Sequence, residues 1–205
     1  MGDQLAYIEP DTTLGRILDA SEELFAEHGY EGTTLRLIAQ KVGIKEPSIY
    51  AHFTNKEAVY AAVIDVALKP FNAELAQWVG KQMSLRDLLD IPRKLLALHA
   101  RHPNAARIMH REFCLPAERI NPQVMAWLIQ IAGYSRLFMA ELLGREEPLA
   151  QEKVVTYIIT LTNITLGFFS TQGMQRQLMG EQFCPEQMFE EYVAILTKIF
   201  RGVLL

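Results

Sequence analysis

Four basic side chains, Arg36, Lys41, Lys45 and Lys56, stand against the single acid Glu46 between residues 33 and 56, which leaves that stretch at +3. The whole 205-residue chain carries a net charge of -4, and the segment just upstream holds Asp19, Glu22, Glu23 and Glu27. A net positive stretch in an acidic chain attracts phosphate locally, whatever the overall balance. Two other groupings have ligand chemistry. His99 and His102 are three apart, and His110 and Cys114 four apart, so each pair can share a helix face and offer metal donors. Pro103 separates the pairs, however, and no carboxylate or cysteine cluster completes a site. Cys114 and Cys184 read as free thiols of a reducing compartment, with redox sensing the chemistry open to them. There is no phosphate-cradling glycine loop, nucleophile elbow or acid pair, so the chain is expected not to be an enzyme and to need no cofactor.

The elements that must position these residues all read as helices. Leu14, Ile17, Leu18, Leu24 and Phe25 follow the spacing of one helical face from Thr12 to a stop at Gly29. A second, shorter helix begins at Thr33 or Thr34, turns Leu35, Ile38, Ala39 and Val42 inward, and ends at Gly43. A third covers about Pro47 to His52. A fourth opens at Thr54-Asn55-Lys56-Glu57, where Thr54 is the expected cap and Glu57 its reciprocal partner, and runs toward Trp78 with a bend at Pro70. Ser84, Pro103, Asn121-Pro122, Pro148 and Pro185 mark the starts of five more; the helix from Pro148 is expected to continue to Leu178. Half of the residues are hydrophobic, enough for a sizeable core. No strand alternation, internal repeat or signal peptide is visible, and the longest apolar stretch, Tyr157 to Phe169, is too short and too polar to span a bilayer. The expected fold is all-α, with a helix-turn-helix domain over 1–54 and a larger helical domain over 55–205.

Between Thr33 and His52 the spacing is specific. A helix of about ten residues ends at a glycine, a turn follows, and a second short helix begins, which is how a helix-turn-helix offers its second helix to the major groove. Ala39 lets the two helices cross closely, while Ile44, Ile49 and Phe53 face back into a small core.

These residues resemble a known family. Thr33-Thr34-Leu35-Arg36-Leu37-Ile38-Ala39, then Val42-Gly43-Ile44, then Ser48-Ile49-Tyr50-Ala51-His52-Phe53-Thr54-Asn55-Lys56-Glu57 closely resemble the signature of the TetR family of regulators, over roughly residues 12 to 62. The resemblance implies that Thr34 and Arg36 touch the DNA backbone. It also implies that Lys45, Glu46, Pro47 and Ser48 form the base-reading stretch, that Tyr50 and His52 lean on phosphates, and that Lys56 reaches one more. Lys45 and Pro47 depart from the small residues many relatives carry there. Lys45 can read a guanine edge or hold a phosphate, and Glu46 can accept from a cytosine amine.

Beyond about Phe71 no family-wide motif is visible, and the resemblance implies only a region that varies with the inducer. Wide apolar faces on the last two helices, Val154 to Leu166 and Met188 to Phe200, point to a homodimer. Trp78, Met109, Phe113, Trp127, Tyr134, Phe138, Asn163 and Phe168 are the candidates for a pocket between helices. The expected protein is a cytoplasmic, ligand-responsive, dimeric repressor. Its partners would be a palindromic double-stranded DNA operator and a small, largely apolar effector, with no membrane partner. A metal- or redox-responsive DNA-binding regulator is the alternative.

Overall fold

Side-chain caps set the start of half of these helices. The computed structural model describes residues 12–79, 84–142, 144 and 146–204. Its helices are α1 (Thr13–Gly32), α2 (Leu35–Val42), α3 (Pro47–Tyr50), α4 (Lys56–Val79), α5 (Leu85–Arg101), α6 (Pro103–Phe113), α7 (Pro122–Leu142), α8 (Gln151–Ser170), α9 (Gln172–Met179) and α10 (Pro185–Leu204). Short 3-10 turns occupy Ala117–Arg119 and Gly180–Gln182, and no strand occurs among the described residues. Thr12 Oγ1 accepts the Gly15 N–H at 3.0 Å, and Thr34 Oγ1 accepts that of Leu37 at 3.2 Å. Ser84 and Asp87 form a reciprocal capping box, and Asn121 Oδ1 accepts the Gln123 N–H at 2.9 Å ahead of Pro122.

Three boundaries differ from the sequence expectation. The cap of α4 is Asn55, whose Oδ1 accepts the Ala58 N–H at 2.8 Å, not Thr54. An Asx side chain directly before the first helical residue already satisfies the orphan donor. Pro148 does not open one long helix. α8 starts at Gln151 and stops at Ser170, where the Thr171 hydroxyl donates to the Gly167 carbonyl at 2.7 Å, and α9 follows. Gly29, expected as the stop of α1, is a break within it, at φ 73° and ψ 178°.

The chain divides into two compact units between Lys69 and Pro70, rather than at the expected 54/55. The reason lies in the first turns of α4: Val59, Tyr60, Val63 and Ile64 are buried. The Tyr60 ring stands edge-on to Phe25 at 4.8 Å and to Tyr30 at 5.0 Å. Ile17, Phe25, Ile38 and Ile49 complete this small core. Thr33, fully buried, donates its hydroxyl to the Gly29 and Leu24 carbonyls, which fixes the crossing from α1 into α2.

In the second unit α5 packs on α8 and α10, and α8 also packs on α6 and α7. The Tyr192 hydroxyl of α10 donates to the Ile164 carbonyl of α8 at 2.6 Å. Arg136 on α7 donates to the Leu149 carbonyl at 3.0 Å, pinning the connection ahead of α8. At 20 residues α8 is long and apolar enough, by length and composition, to cross a membrane, which the shorter stretch Tyr157–Phe169 was not. In this fold its Val154, Thr165, Leu166, Phe168 and Phe169 are buried by neighbouring helices.

Candidate functional site

The first unit presents one face built by α2, the turn after it, and α3. Gly43 sits at φ 77° and ψ 29°, the left-handed region where a side chain is disfavoured. Its N–H reaches the Gln40 carbonyl at 3.2 Å, and that of Ile44 reaches the Ala39 carbonyl at 3.0 Å. This paired closure ends α2 sharply and redirects the chain. Pro47 stands at the first position of α3, where its missing N–H is not needed. Ile49 is fully buried and both His52 and Phe53 N–H groups return to its carbonyl at 2.9 Å, so α3 is anchored by one residue.

Because Ile49 points inward, its neighbours point out. Thr34, Arg36, Lys45, Pro47, Ser48, Tyr50 and His52 are exposed, and Glu46 is half-buried. Tyr50 keeps 54% of its surface in solvent, more than packing of its ring would leave. Leu37, which the sequence reading passed over, is 38% exposed beside Arg36. Its one available signal was that it falls outside the inward register of Leu35, Ile38, Ala39 and Val42.

Two of the four cations counted in this stretch are already engaged. Lys41 Nζ lies 2.6 Å from Glu23 Oε2 on α1. Lys56 Nζ donates to the Tyr30 carbonyl at 3.0 Å and sits 4.1 Å above the Tyr30 ring. The position expected to reach a phosphate is therefore drawn onto the end of α1. Burial, and a hydrogen bond to the Glu57 carboxylate, push the Tyr30 phenol up to about 12. Arg16 adds a further tie, donating to the Val42 carbonyl at 2.6 Å. Among acids of α1, Glu22 is raised by burial and by Asp19 and Glu23.

The second unit holds a cavity of about 350 Å³ walled by the C-terminal part of α4 with α5, α7 and α8. Trp127, Tyr134 and Phe138, three of the eight predicted pocket residues, line it. The Trp127 indole N–H donates to Asn72 Oδ1 at 2.9 Å, and Phe71 stacks edge-on to that indole at 6.1 Å. Four predicted residues lie elsewhere. Met109 is fully buried on α6, and Phe113 ends that helix away from the cavity wall. Asn163 is exposed and donates to the Ile159 carbonyl one turn back at 2.9 Å. Phe168 packs on Phe169 and Tyr192 and borders a separate hollow of about 340 Å³. The side chain of Trp78 lies outside the described residues. Helical periodicity identifies which residues are apolar and inward, but not which inward residues abut a void. Phe71, Glu74, Glu141 and Tyr157 were missed for that reason.

His99 is 3% exposed, between Phe71 at 5.3 Å and Phe169 at 6.1 Å. Burial lowers its imidazole to about 4, opposed by a hydrogen bond to the Thr165 carbonyl, and Nδ1 has no partner. His102 and His110 are also lowered, in both cases mainly by burial. Among the described residues no group of three or more metal-ligating side chains occurs. Cys114 and Cys184 are free thiols.

Residues 17–63 match the family model for bacterial regulatory proteins of the tetR family. The HTH-type transcriptional repressor ComR of Escherichia coli K12 is 44% identical over 57 residues, which cover 28% of this chain and 27% of ComR. The curated relatives are thus matched over part of their length, from 24% of the Staphylococcus aureus regulator IcaR to 66% of its Staphylococcus epidermidis counterpart. Among solved structures, the ketosteroid transcriptional regulator KstR2 of Mycobacterium tuberculosis is similar with a TM-score of 0.69 at 19% identity, covering 93% of this chain and 95% of KstR2. The regulator FadR of Bacillus subtilis, in complex with stearoyl-CoA, gives 0.62 at 19% identity, over 89% of this chain and 96% of FadR. At such identities the likeness concerns the fold.

Proposed function

We propose that this chain, a member of the TetR family of bacterial regulators, is a cytoplasmic, homodimeric, ligand-responsive repressor. It would hold a palindromic operator and leave it when a small, largely apolar effector fills the second unit. The observation that carries the reading is the orientation of α3: Ile49 is fully buried, and the residues on either side of it are exposed. A helix held from behind by one apolar anchor offers its other faces to the major groove.

In this reading Arg36, Tyr50 and His52 take backbone phosphates, and the Thr34 hydroxyl, which accepts the Leu37 N–H, donates its proton to another. Lys45, Glu46, Pro47 and Ser48 meet base edges, and Leu37 offers an apolar surface to a thymine methyl. Lys56 acts through Tyr30 rather than on DNA. The apolar residues left exposed on the last long helices, Ile159 of α8 with Ile195 and Ile199 of α10, form the surface for a second copy. Such a pairing would set two reading helices about 34 Å apart, one turn of DNA.

The effector would act through α4, which begins beside Tyr30 and ends in the cavity wall at Phe71 and Leu75. A difference of roughly 1–3 kcal/mol between the two dispositions of α4 is enough to weaken operator binding. Acyl-CoA and ketosteroid regulators among the structural relatives make apolar effectors reasonable for this architecture.

The test is titration of the purified protein into DNA taken from beside its own gene, at two salt concentrations, with Tyr50→Ala alongside. Tight, salt-sensitive binding that the variant loses supports the reading. Equal affinity of both proteins for this DNA and for random DNA, repeated after selection from random sequences, overturns it.

A further inference from the structure

The imidazole of His99 lies directly behind the wall of the cavity in the second unit. Leu95, one helical turn before it on α5, and Leu98, its neighbour, both line the cavity. On α8 the lining residues Leu161 and Thr162 stand one turn before Thr165, whose carbonyl takes the imidazole N–H. Phe71 of α4 belongs to both places: its ring lines the cavity and lies 5.3 Å from the imidazole. Burial keeps that imidazole neutral, so it offers one N–H and one lone pair. The N–H goes to Thr165, and the buried Nδ1 has no hydrogen-bond partner. Two other polar groups of the wall are already committed. The Trp127 indole N–H donates to Asn72 Oδ1 at 2.9 Å, and the Thr162 hydroxyl to the Ile158 carbonyl at 2.7 Å. A buried acceptor without a donor keeps its whole desolvation cost, and a guest that supplies a donor recovers it.

We propose that His99 is the polar anchor of the effector site, accepting at Nδ1 a hydrogen bond from the hydroxyl or N–H of an uncharged, otherwise apolar guest. The inference rests on the effector reading above and narrows its chemical class. Phe71 touches both the cavity and the imidazole, so its ring turns aside as the guest reaches Nδ1. The tautomer sets the selectivity. A ketone, ester or ether oxygen brings only lone pairs, which would face the lone pair of Nδ1. An alcohol, a phenol or an amide N–H brings the missing donor. The aliphatic and aromatic wall supplies most of the affinity, and His99 decides which polar group can be carried into it. Discrimination of this kind is strong because the wrong guest leaves the site's own buried atom unpaired.

Para-phenylphenol and its methyl ether make the test direct: they share the biphenyl frame and the oxygen, and only the phenol can donate. Binding of each to the full-length protein is measured by calorimetry at neutral pH. The phenol should bind at least about fivefold more tightly than the ether. In His99→Leu, with folding checked by circular dichroism, the two should bind alike. A second measurement uses the wild-type chain alone and so does not depend on that variant folding. In protein carrying isotopically labelled histidine, the Nδ1 resonance of the imidazole that stays neutral to the lowest pH should move with the phenol and stay in place with the ether. Equal binding of the two compounds to the wild type, binding of neither, a preference retained in folded His99→Leu, or an Nδ1 resonance indifferent to the phenol would each overturn the proposal. Operator titration is run separately. Loss of DNA recognition there would count against the repressor reading, while a donor preference that disappears with His99 would stand on its own.

Discussion

Lys56 Nζ lies 3.0 Å from the Tyr30 carbonyl and 4.1 Å above the Tyr30 ring, so one ammonium joins the end of α1 to the start of α4. Glu57, the next residue, takes the Tyr30 hydroxyl. The three side chains make a clamp where the first unit hands the chain into α4. A charge held in this way contributes to the fold before it contributes to any ligand.

Replacing Lys56 by Met should therefore lower the stability of DNA-free protein by about 1 kcal/mol, from loss of the cation–π contact and of one charge-assisted hydrogen bond. Denaturant unfolding of the two proteins measures it. A variant as stable as the wild type, yet impaired on DNA, would return Lys56 to the role of a phosphate contact.

Gly43 sits at φ 77° with no atom within 4 Å of where a Cβ would stand. Gly43→Ala should thus cost only the conformational penalty of a left-handed alanine, about 1 kcal/mol. Thermal unfolding would show a modestly lowered midpoint with the helical circular dichroism intact. A much larger loss would mean that the turn has no room for a methyl group.

Arg36 is exposed on the α2 face, whereas Lys41 is ion-paired to Glu23. Arg36→Ala should weaken operator binding and reduce the slope of log affinity against log salt by about 1, the signature of one lost phosphate contact. Lys41→Ala should leave that slope nearly unchanged. The comparison is made by titration at four salt concentrations, and a reversed ranking of the two variants would reject this assignment.

The His99 imidazole is held neutral by burial, at about 4 instead of its ordinary 6.5. Between those values the unfolded chain binds the proton and the folded chain does not, so stability is complete above about pH 6.5 and falls as pH drops toward 4. The slope from this one group approaches about 1.4 kcal/mol per pH unit. His102 and His110, also lowered, add in the same direction. Denaturant unfolding at pH 7, 5.5 and 4.5 should show that decline in the wild type and a shallower one in His99→Leu. Parallel declines would mean that His99 does not carry it.

Local chemistry made much of the fold legible. Gly43 could be recognised as the turn because only glycine sits easily at its backbone angles, and Ser84 announced a capped start, which its reciprocal hydrogen bonds with Asp87 bear out. Pro122 behind Asn121 did the same for α7. The start of α4 was placed correctly but given the wrong cap, since Thr54 and Asn55 are both competent and only the path of the chain chooses Asn55. The outward face of α3 was readable because one apolar residue, Ile49, stands among polar ones.

Sequence by itself determined the helical class, the helix-turn-helix unit and which of its residues face solvent, because capping, turn chemistry and amphipathic spacing act within a few residues along the chain. Tertiary structure decided everything that depends on which side chains meet across the fold. It set Lys41 against Glu23 and Lys56 over Tyr30. It buried Met109 in the core, turned Asn163 to the surface, and gathered Glu74, Trp127 and Glu141 around one cavity. A void is the space that several helices fail to fill together, and its position depends on their packing rather than on the pattern of any one of them.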